Sequence, residues 1–108
     1  VVLDCVTLWV ANLLLRGDVE TSILAAADAL AGYFAERRFS LIIVSNEVGA
    51  GVHPPTDVGL RFRDALGGVN QRIAAAADRV RYMVAGLPMV IKDLPPPEPS
   101  RERPPEAP

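Results

Sequence analysis

The sequence predicts an α/β fold with a mainly parallel sheet. Strand-like apolar runs alternate with segments of helical periodicity in the order β-α-α-β-α-β. One run, residues 41–44, is apolar without alternation, which is typical of a strand buried on both faces of a parallel sheet. With 108 residues, the chain has room for one such domain and not for a second core.

Three strands are predicted, and each ends at a polar residue or a glycine. They are residues 1–3 ending at Asp4, residues 41–44 ending at the polar segment 45–47, and residues 80–85 ending at Gly86. In open α/β sheets, ligands bind beyond the carboxyl ends of the strands. We therefore expect a binding site where these three ends meet.

Three helices are predicted from apolar residues that recur at helical spacing. They cover residues 8–15, residues 23–34 and residues 58–73. The N-caps predicted for the two longer helices are Thr21 or Ser22 and Thr56 or Asp57.

Composition and charge exclude several classes of protein. The chain has 11 Lys and Arg against 13 Asp and Glu, so it lacks the basic excess of a nucleic-acid binder. Its single cysteine, Cys5, excludes an internal disulfide framework and suits a reducing cytoplasm. Its apolar runs fall short of the roughly 20 residues that cross a membrane. Because Val1 opens directly in a strand-like run, we interpret the chain as a fragment or a processed chain.

Residues 95–108 differ in composition from the rest of the chain. They hold seven of the ten prolines and no large apolar residue, so they cannot bury surface in a core. We predict a domain over residues 1–94 and an extended tail after it. The tail is a disordered carboxyl terminus, a linker to a further domain, or a docking segment for a proline-binding module.

Asp4 is a candidate magnesium ligand. Nucleotide-binding proteins with a phosphate loop hold Mg²⁺ beside the phosphates with an aspartate that ends an apolar strand, and hard Mg²⁺ prefers oxygen ligands. The alternative is that Asp4 is a turn or cap residue. The phosphate-binding motif G-x-x-x-x-G-K-[ST] is absent, because the only lysine, Lys92, follows Ile91.

The segment after the second predicted strand contains the candidate catalytic residues. Asn46 and Glu47 lie at the strand end and are followed by glycines, which permit close approach to a ligand. Glu47 would act as a general base for a hydroxyl or position a Mg²⁺-bound water. The alternative is an exposed glutamate in a strand-to-helix turn. The only histidine, His53, has no second ligand at metal spacing and is not assigned a catalytic role.

The helix predicted over residues 58–73 has a second, more polar stripe. Arg63, Gly67, Asn70 and Ala74 follow the spacing i, i+4, i+7 and i+11. This stripe meets a ligand or a neighbouring subunit, or it is a solvated face.

Four blocks carry a resemblance to one enzyme family. They are residues 4–9 with 12–14; residues 44–49 with Gly51 and Pro54; residues 61–64 with Gly67, Asn70, Gln71, Ala74 and 77–78; and residues 85–88 with Lys92. In this order they resemble the bifunctional adenosylcobinamide kinase / adenosylcobinamide-phosphate guanylyltransferase of cobalamin biosynthesis. The resemblance covers residues 1–93, and it depends on all the blocks together.

The resemblance implies a RecA-like P-loop fold and a cytoplasmic, homotrimeric enzyme that uses Mg²⁺, ATP and GTP. The family phosphorylates adenosylcobinamide and then transfers GMP from GTP onto that phosphate through a guanylyl-histidine. The family's phosphate loop and guanylylated histidine have no counterpart here, and His53 is not placed in that role. The chain therefore resembles the carboxyl-terminal part, with the amino-terminal strand and phosphate loop missing.

The resemblance also implies roles for seven residues. Asp4 would lie on the Mg²⁺ side, and Asn46 and Glu47 would be catalytic. The residues implied to bind nucleotide or substrate are Arg61, Arg63, Asn70 and Gln71. The chain is then either the carboxyl-terminal part of the enzyme, inactive by itself, or a non-catalytic remnant or interaction module that has lost the nucleotide site.

Overall fold

The computed structural model describes residues 1–36, 39–49 and 54–95, and it divides the chain into two compact units. The elements of the first unit, Val1–Ala77, are β1 (Val2–Asp4), α1 (Val6–Leu15), α2 (Glu20–Ala35), β2 (Ile42–Val44) and α3 (Asp57–Ala76). The second unit begins at Asp78 and contains β3 (Arg79–Val84) and β4 (Leu87–Asp93). The predicted boundary between residues 94 and 95 stays a prediction, since residues 96–108 lie outside the described part.

The first unit contains a two-stranded parallel sheet. Val2 of β1 pairs with Ile42 of β2, and Asp4 pairs with Val44. Both strands therefore end at the same edge, as predicted from the alternation of strands and helices. The connection between them contains α1 and α2, as a parallel pair requires.

Within the first unit, side chains of the helices cover only one face of this sheet. Leu3 and Ile43 pack against the helical core. On the other face Val2 and Ile42 are each 62% exposed. The prediction that residues 41–44 are buried on both faces is therefore wrong within the first unit. An apolar run shows that a strand can be buried, but not that a second layer covers it.

The core lies between the inner face of the sheet and the three helices. Its buried side chains are Val6, Val10, Leu13, Ile23, Ala27, Ala65, Leu66, Val69 and Ile73. In α3 the buried positions follow the predicted stripe, although Val58 at its start is 63% exposed. Gly68 allows α3 to approach α2 closely, because a Cβ at this position would lie 2.7 Å from Leu24 Cδ2.

The N-caps of the two longer helices differ in how well the sequence predicted them. Thr56 caps α3 as predicted, since its Oγ1 accepts a hydrogen bond from the Gly59 N–H at 3.0 Å. The prediction for α2 is wrong: the helix begins at Glu20, and its N-cap is Val19, which makes no side-chain cap bond. Glu20 places a negative charge in the first turn, which favours an earlier start.

The carboxyl end of α1 closes in a left-handed turn at Gly17. The Asp18 N–H donates to the Leu13 carbonyl and the Gly17 N–H to the Leu14 carbonyl, both at 3.0 Å, which is the Schellman pattern. Arg16 Nε also donates to Asp18 Oδ1 at 2.9 Å, and this hydrogen bond lowers the pKa of Asp18 below its ordinary value. The Arg16–Asp18 hydrogen bond and the backbone turn at Gly17 therefore both lie at the carboxyl end of α1.

We expect Gly17→Ala to lower the free energy of unfolding by about 1 kcal/mol. The φ of Gly17 is +97°, and an added Cβ would meet no atom within 4 Å, so the cost comes from the backbone alone. Gly32→Ala is the matched control: it also has open space, but it lies inside α2, where alanine is favoured by about 0.5–1 kcal/mol. Urea unfolding should shift in opposite directions for the two variants. A shift in the same direction would contradict the assigned turn.

The third predicted strand is present, but the prediction that it belongs to the parallel sheet is wrong. This strand, β3, pairs antiparallel with β4, and Val84 lies opposite Leu87. The two residues between them, Ala85 and Gly86, have φ values of 50° and 75°, as in a tight hairpin turn of type I′. A two-residue loop cannot make a parallel crossover. Gly86 therefore does not end a strand of the parallel sheet.

No helix in the described ranges combines the length and the apolar character of a membrane span.

Candidate active site

Polar side chains gather at the carboxyl edge of the parallel sheet. Asp4 is the last residue of β1 and lies opposite Val44, the last residue of β2. The polar segment 45–47 follows immediately, so it begins at the same edge. Since α1 begins at Val6, its first turn also starts here. Of the three predicted strands, β1 and β2 therefore end at one common edge, as expected.

Hydrogen bonds join the end of β2 to both α1 and α3. Asn46 Nδ2 donates to Thr7 Oγ1 at 2.8 Å. Asn70 Nδ2 donates to the Asn46 carbonyl at 2.9 Å, and Ser45 Oγ donates to Asn70 Oδ1 at 2.5 Å. We call these four residues, Thr7, Ser45, Asn46 and Asn70, the edge network. It ties together segments that are 24 to 39 residues apart in the chain.

Sequence reasoning named Asn46 and Asn70 but gave no role to Thr7 or Ser45. Two signals could have found them. Thr7 lies three residues after the strand-end Asp4, in the first turn of the following helix, and Ser45 opens the polar segment after β2. Both are hydroxyl residues at the edge where an α/β sheet binds ligands.

Glu47 presents an exposed carboxylate beyond β2. Its Oε1 accepts a hydrogen bond from the Gly49 N–H at 2.8 Å. A Cβ on Gly49 would lie 3.0 Å from that oxygen, so glycine allows the carboxylate to sit this close to the backbone. Among the described residues, Oε2 makes no hydrogen bond. One oxygen therefore orients the group and the other faces no described partner.

Asp4 is exposed at the end of β1, on the same sheet face as Val2. Within the ranges described, no group of three or more His, Cys, Asp or Glu side chains could hold a metal ion by itself. A single carboxylate nevertheless fits Mg²⁺, because this ion keeps several waters and is bound by one or two carboxylates together with substrate phosphates. The donor set therefore suits a metal that arrives with a nucleotide.

The polar residues of α3 do not all face this edge. Arg63 lies seven residues before Asn70, which at 3.6 residues per turn places it on about the same side of the helix. It is half-buried, and its Nη2 lies 3.3 Å from Asp64 Oδ1. Arg61 lies nine residues before Asn70, about half a turn round the helix, so the two do not share a face. Gln71 is exposed, about 100° from Asn70.

The structure thus places Asp4, Asn46, Glu47 and Asn70 at one edge and leaves Arg61 off the face that Asn70 occupies. Their chemical roles stay predictions. The edge offers carboxylates that can bind a cation or accept a proton, and amides that can bind polar groups of a ligand. His53 and Gly51, which the sequence analysis also discussed, lie outside the described residues.

Comparison with known proteins places this edge within a matched segment. A family model described as cobinamide kinase / cobinamide phosphate guanyltransferase matches residues 1–91. The bifunctional adenosylcobalamin biosynthesis protein CobP of Pseudomonas aeruginosa is 41% identical over 92 residues, which are 85% of this chain and 53% of that protein. The bifunctional adenosylcobalamin biosynthesis protein CobU of Escherichia coli is 36% identical over 104 residues, 85% of this chain and 58% of that protein.

The corresponding CobU protein of Salmonella typhimurium is also 36% identical over 104 residues. The chain spans about half the length of the curated relatives that it matches. All the residues of the edge, from Asp4 to Asn70, fall inside the range that the family model matches.

Proposed function

Because the chain belongs to the cobinamide kinase / cobinamide phosphate guanyltransferase family, we propose that its sheet edge forms part of the site for both reactions. In the first, ATP or GTP phosphorylates the hydroxyl of adenosylcobinamide. In the second, GMP passes from GTP to adenosylcobinamide phosphate, which gives adenosylcobinamide-GDP and releases pyrophosphate. The proposal rests on one observation: Asp4, Asn46 and Glu47 lie at the same carboxyl edge of the parallel sheet.

In this proposal Asp4 binds Mg²⁺ together with phosphate oxygens and water. The bound ion would neutralise the charge that develops on the transferred phosphoryl group. Asp4 suits this task because it is exposed at the strand end, where a nucleotide can reach it. The backbone of β1 holds the residue in place, and its pairing with β2 fixes its position relative to the segment that contains Glu47.

Glu47 would take the proton from the substrate hydroxyl in the first reaction. The oxygen then attacks the γ-phosphorus, the bond from that phosphorus to the β-phosphate oxygen breaks, and the nucleoside diphosphate leaves. The hydrogen bond from the Gly49 N–H orients the carboxylate. The alternative role for Glu47 is to position a Mg²⁺-bound water. Asn46 is proposed to act beside Glu47 in catalysis. Arg61, Arg63, Asn70 and Gln71 are proposed to bind the nucleotide or the corrinoid.

The proposal includes what the resemblance implies about the rest of the enzyme. The RecA-like P-loop fold would be completed by an amino-terminal strand and phosphate loop outside these 108 residues, since the sequence contains no G-x-x-x-x-G-K-[ST] motif. The assembly would be a homotrimer. A further strand and phosphate loop agree with a chain that spans about half the length of its relatives.

A chimera tests the proposal. The segment of the Pseudomonas aeruginosa relative that matches is replaced by this chain, and the rest of that protein is kept. We expect the purified chimera to transfer label from γ-labelled ATP to adenosylcobinamide, and label from α-labelled GTP to adenosylcobinamide phosphate. A chimera that matches the parent in circular dichroism and oligomeric state but catalyses neither reaction would overturn the proposal.

The second candidate is a non-catalytic remnant or interaction module. It is favoured by the apolar side chains of Val2 and Ile42, which the first unit leaves exposed. The chimera separates the two candidates, because a remnant whose site residues no longer serve the reactions would not support turnover.

We expect the isolated chain to be marginally stable, to self-associate, and to catalyse neither reaction. Its parallel sheet has only two strands in the described part, and an uncovered strand edge favours association. The measurement is incubation with α-labelled GTP, followed by denaturing electrophoresis and analysis of products. Label on the isolated chain, or cleavage of GTP, would show that it needs no other segment.

A further inference from the structure

Asn46 is held from two sides by groups outside its own strand. Its side-chain Nδ2 donates to Thr7 Oγ1 in the first turn of α1, at 2.8 Å. Its main-chain carbonyl accepts from Asn70 Nδ2 in α3, at 2.9 Å. Residue 46 lies two positions beyond the last residue of β2, where the sheet ladder has ended. Its position is therefore fixed by side chains rather than by strand pairing.

Asn70 uses both polar atoms of its amide within the protein. Nδ2 donates to the Asn46 carbonyl, and Oδ1 accepts from Ser45 Oγ at 2.5 Å. Its carboxamide therefore bridges two successive residues of the segment after β2. This geometry gives the amide a structural role, separate from any contact with a ligand.

We propose that Thr7 and Asn70 are positioning residues that place Glu47 at the sheet edge by holding Asn46. Glu47 follows Asn46 directly, so fixing the main chain at residue 46 also fixes the position of the Glu47 main chain. The Gly49 N–H then orients the carboxylate itself. The role in catalysis rests on the proposed function, whereas the positioning can be measured without any activity.

The first test measures positioning by amide hydrogen exchange in the folded chimera, and it requires no activity. Thr7→Val keeps the shape of the side chain and removes the acceptor of the Asn46 amide. Asn70→Asp keeps the acceptor for Ser45 and places an oxygen against the Asn46 carbonyl. Each variant should speed exchange of the Gly49 amide about fivefold, the factor for one typical hydrogen bond, because a loosened segment opens the bond from this N–H to Glu47 Oε1 more often.

Matched controls separate this effect from general loss of stability. Thr21→Val makes the same change at an exposed position of α2, and Ala29→Asp adds a negative charge at another exposed position of that helix. Neither should change exchange of the Gly49 amide. Equal exchange in Thr7→Val, Asn70→Asp and the unsubstituted chimera would overturn the positioning role. So would faster exchange that is uniform over the whole chain.

The second test measures the catalytic consequence in the chimera. Thr7→Val and Asn70→Asp should lower kcat for phosphorylation by about 10- to 100-fold, since a base displaced by about 1 Å loses that much. In Thr7→Val the KM for ATP should stay within about twofold, because Thr7 is not among the residues proposed to bind the nucleotide or the corrinoid. Thr7→Ser, which keeps the hydroxyl, should restore kcat. A rise in KM with kcat unchanged would contradict the proposal and assign these residues to binding.

The two tests fail in distinguishable ways. If the unsubstituted chimera is inactive, the proposed function fails, and the exchange measurement still decides whether Thr7 and Asn70 hold residues 46–49. If the chimera is active and exchange changes as expected while kcat does not, the network is structural only, and the catalytic part of the inference is overturned.

Discussion

Glu47→Gln in the chimera is expected to lower the rate of adenosylcobinamide phosphorylation by about 100-fold or more, the usual contribution of a general base. Glutamine keeps the length of the side chain and can still accept the hydrogen bond from the Gly49 N–H. It cannot take a proton from the substrate hydroxyl. The loss should appear in kcat with little change in KM, because the interaction is made in the transition state.

The second reaction separates the two roles considered for Glu47. Adenosylcobinamide phosphate is already an anion and needs no deprotonation before it accepts GMP. If Glu47 is a general base, Glu47→Gln should therefore slow phosphorylation much more than GMP transfer. If it positions a Mg²⁺-bound water, both reactions should slow together. Glu20→Gln, at an exposed carboxylate in the first turn of α2, is the control and should change neither rate.

An equal rate in Glu47→Gln and the unchanged chimera would remove Glu47 from the catalytic machinery. The residue would then be an exposed glutamate in a strand-to-helix turn. The rate is measured with γ-labelled ATP under single-turnover conditions, so that product release does not hide a slower chemical step.

Leu66→Ala is expected to lower the free energy of unfolding by about 2–5 kcal/mol. Leu66 is fully buried in α3, in the core between the helices and the inner face of the sheet. Truncation removes its apolar contacts and leaves a cavity. Since small domains are stable by only about 5–15 kcal/mol, the variant should be largely unfolded where the parent chain is marginal.

Leu15→Ala is the matched control for this substitution. Leu15 ends α1 and is 84% exposed, so its truncation should change the free energy of unfolding by less than about 0.5 kcal/mol. Urea unfolding of the chain, repeated in the chimera, measures both. Similar losses at the two positions would contradict the assignment of α3 to the core.

The parts of the fold predicted well are those with strong periodicity or a strong local signal. Leu66, Val69 and Ile73 recur at helical spacing in the sequence, and the structure buries them together. The sequence predicts Thr56 or Asp57 as the N-cap before this stripe, and Thr56 caps α3. Such signals depend on neighbouring residues alone, so one sequence contains them.

The parts predicted wrongly depend on which segments pair. The apolar run over residues 80–85 indicates a strand but carries no information about the direction of its partner. The left-handed turn at Ala85 and Gly86 makes the partner antiparallel, and alanine gives no warning of a positive φ. The exposure of Ile42 is similar, because burial of a strand requires a second layer that its own sequence does not specify.

The candidate site was predictable at the strand ends and less so on the helices. Asp4, Asn46 and Glu47 follow apolar strands, and parallel strands bring their carboxyl ends to one edge. That Asn70 bonds to Asn46 and Ser45 could not be predicted, because it depends on how α3 packs against the sheet. The opposite placement of Arg61 follows from helical geometry once the face of Asn70 is known.

Paramagnetic broadening by Mn²⁺ and GTP in the chimera most directly tests whether this edge is the active site. Mn²⁺ replaces Mg²⁺ at oxygen ligands and broadens nearby amide signals, and the complex with Mg²⁺ is the diamagnetic reference. We expect strong broadening at residues 4–7 and 45–49, and weaker broadening in Asp4→Asn. Unchanged signals at both segments, with broadening elsewhere in the chain, would contradict the assignment of the site to the edge formed by β1 and β2.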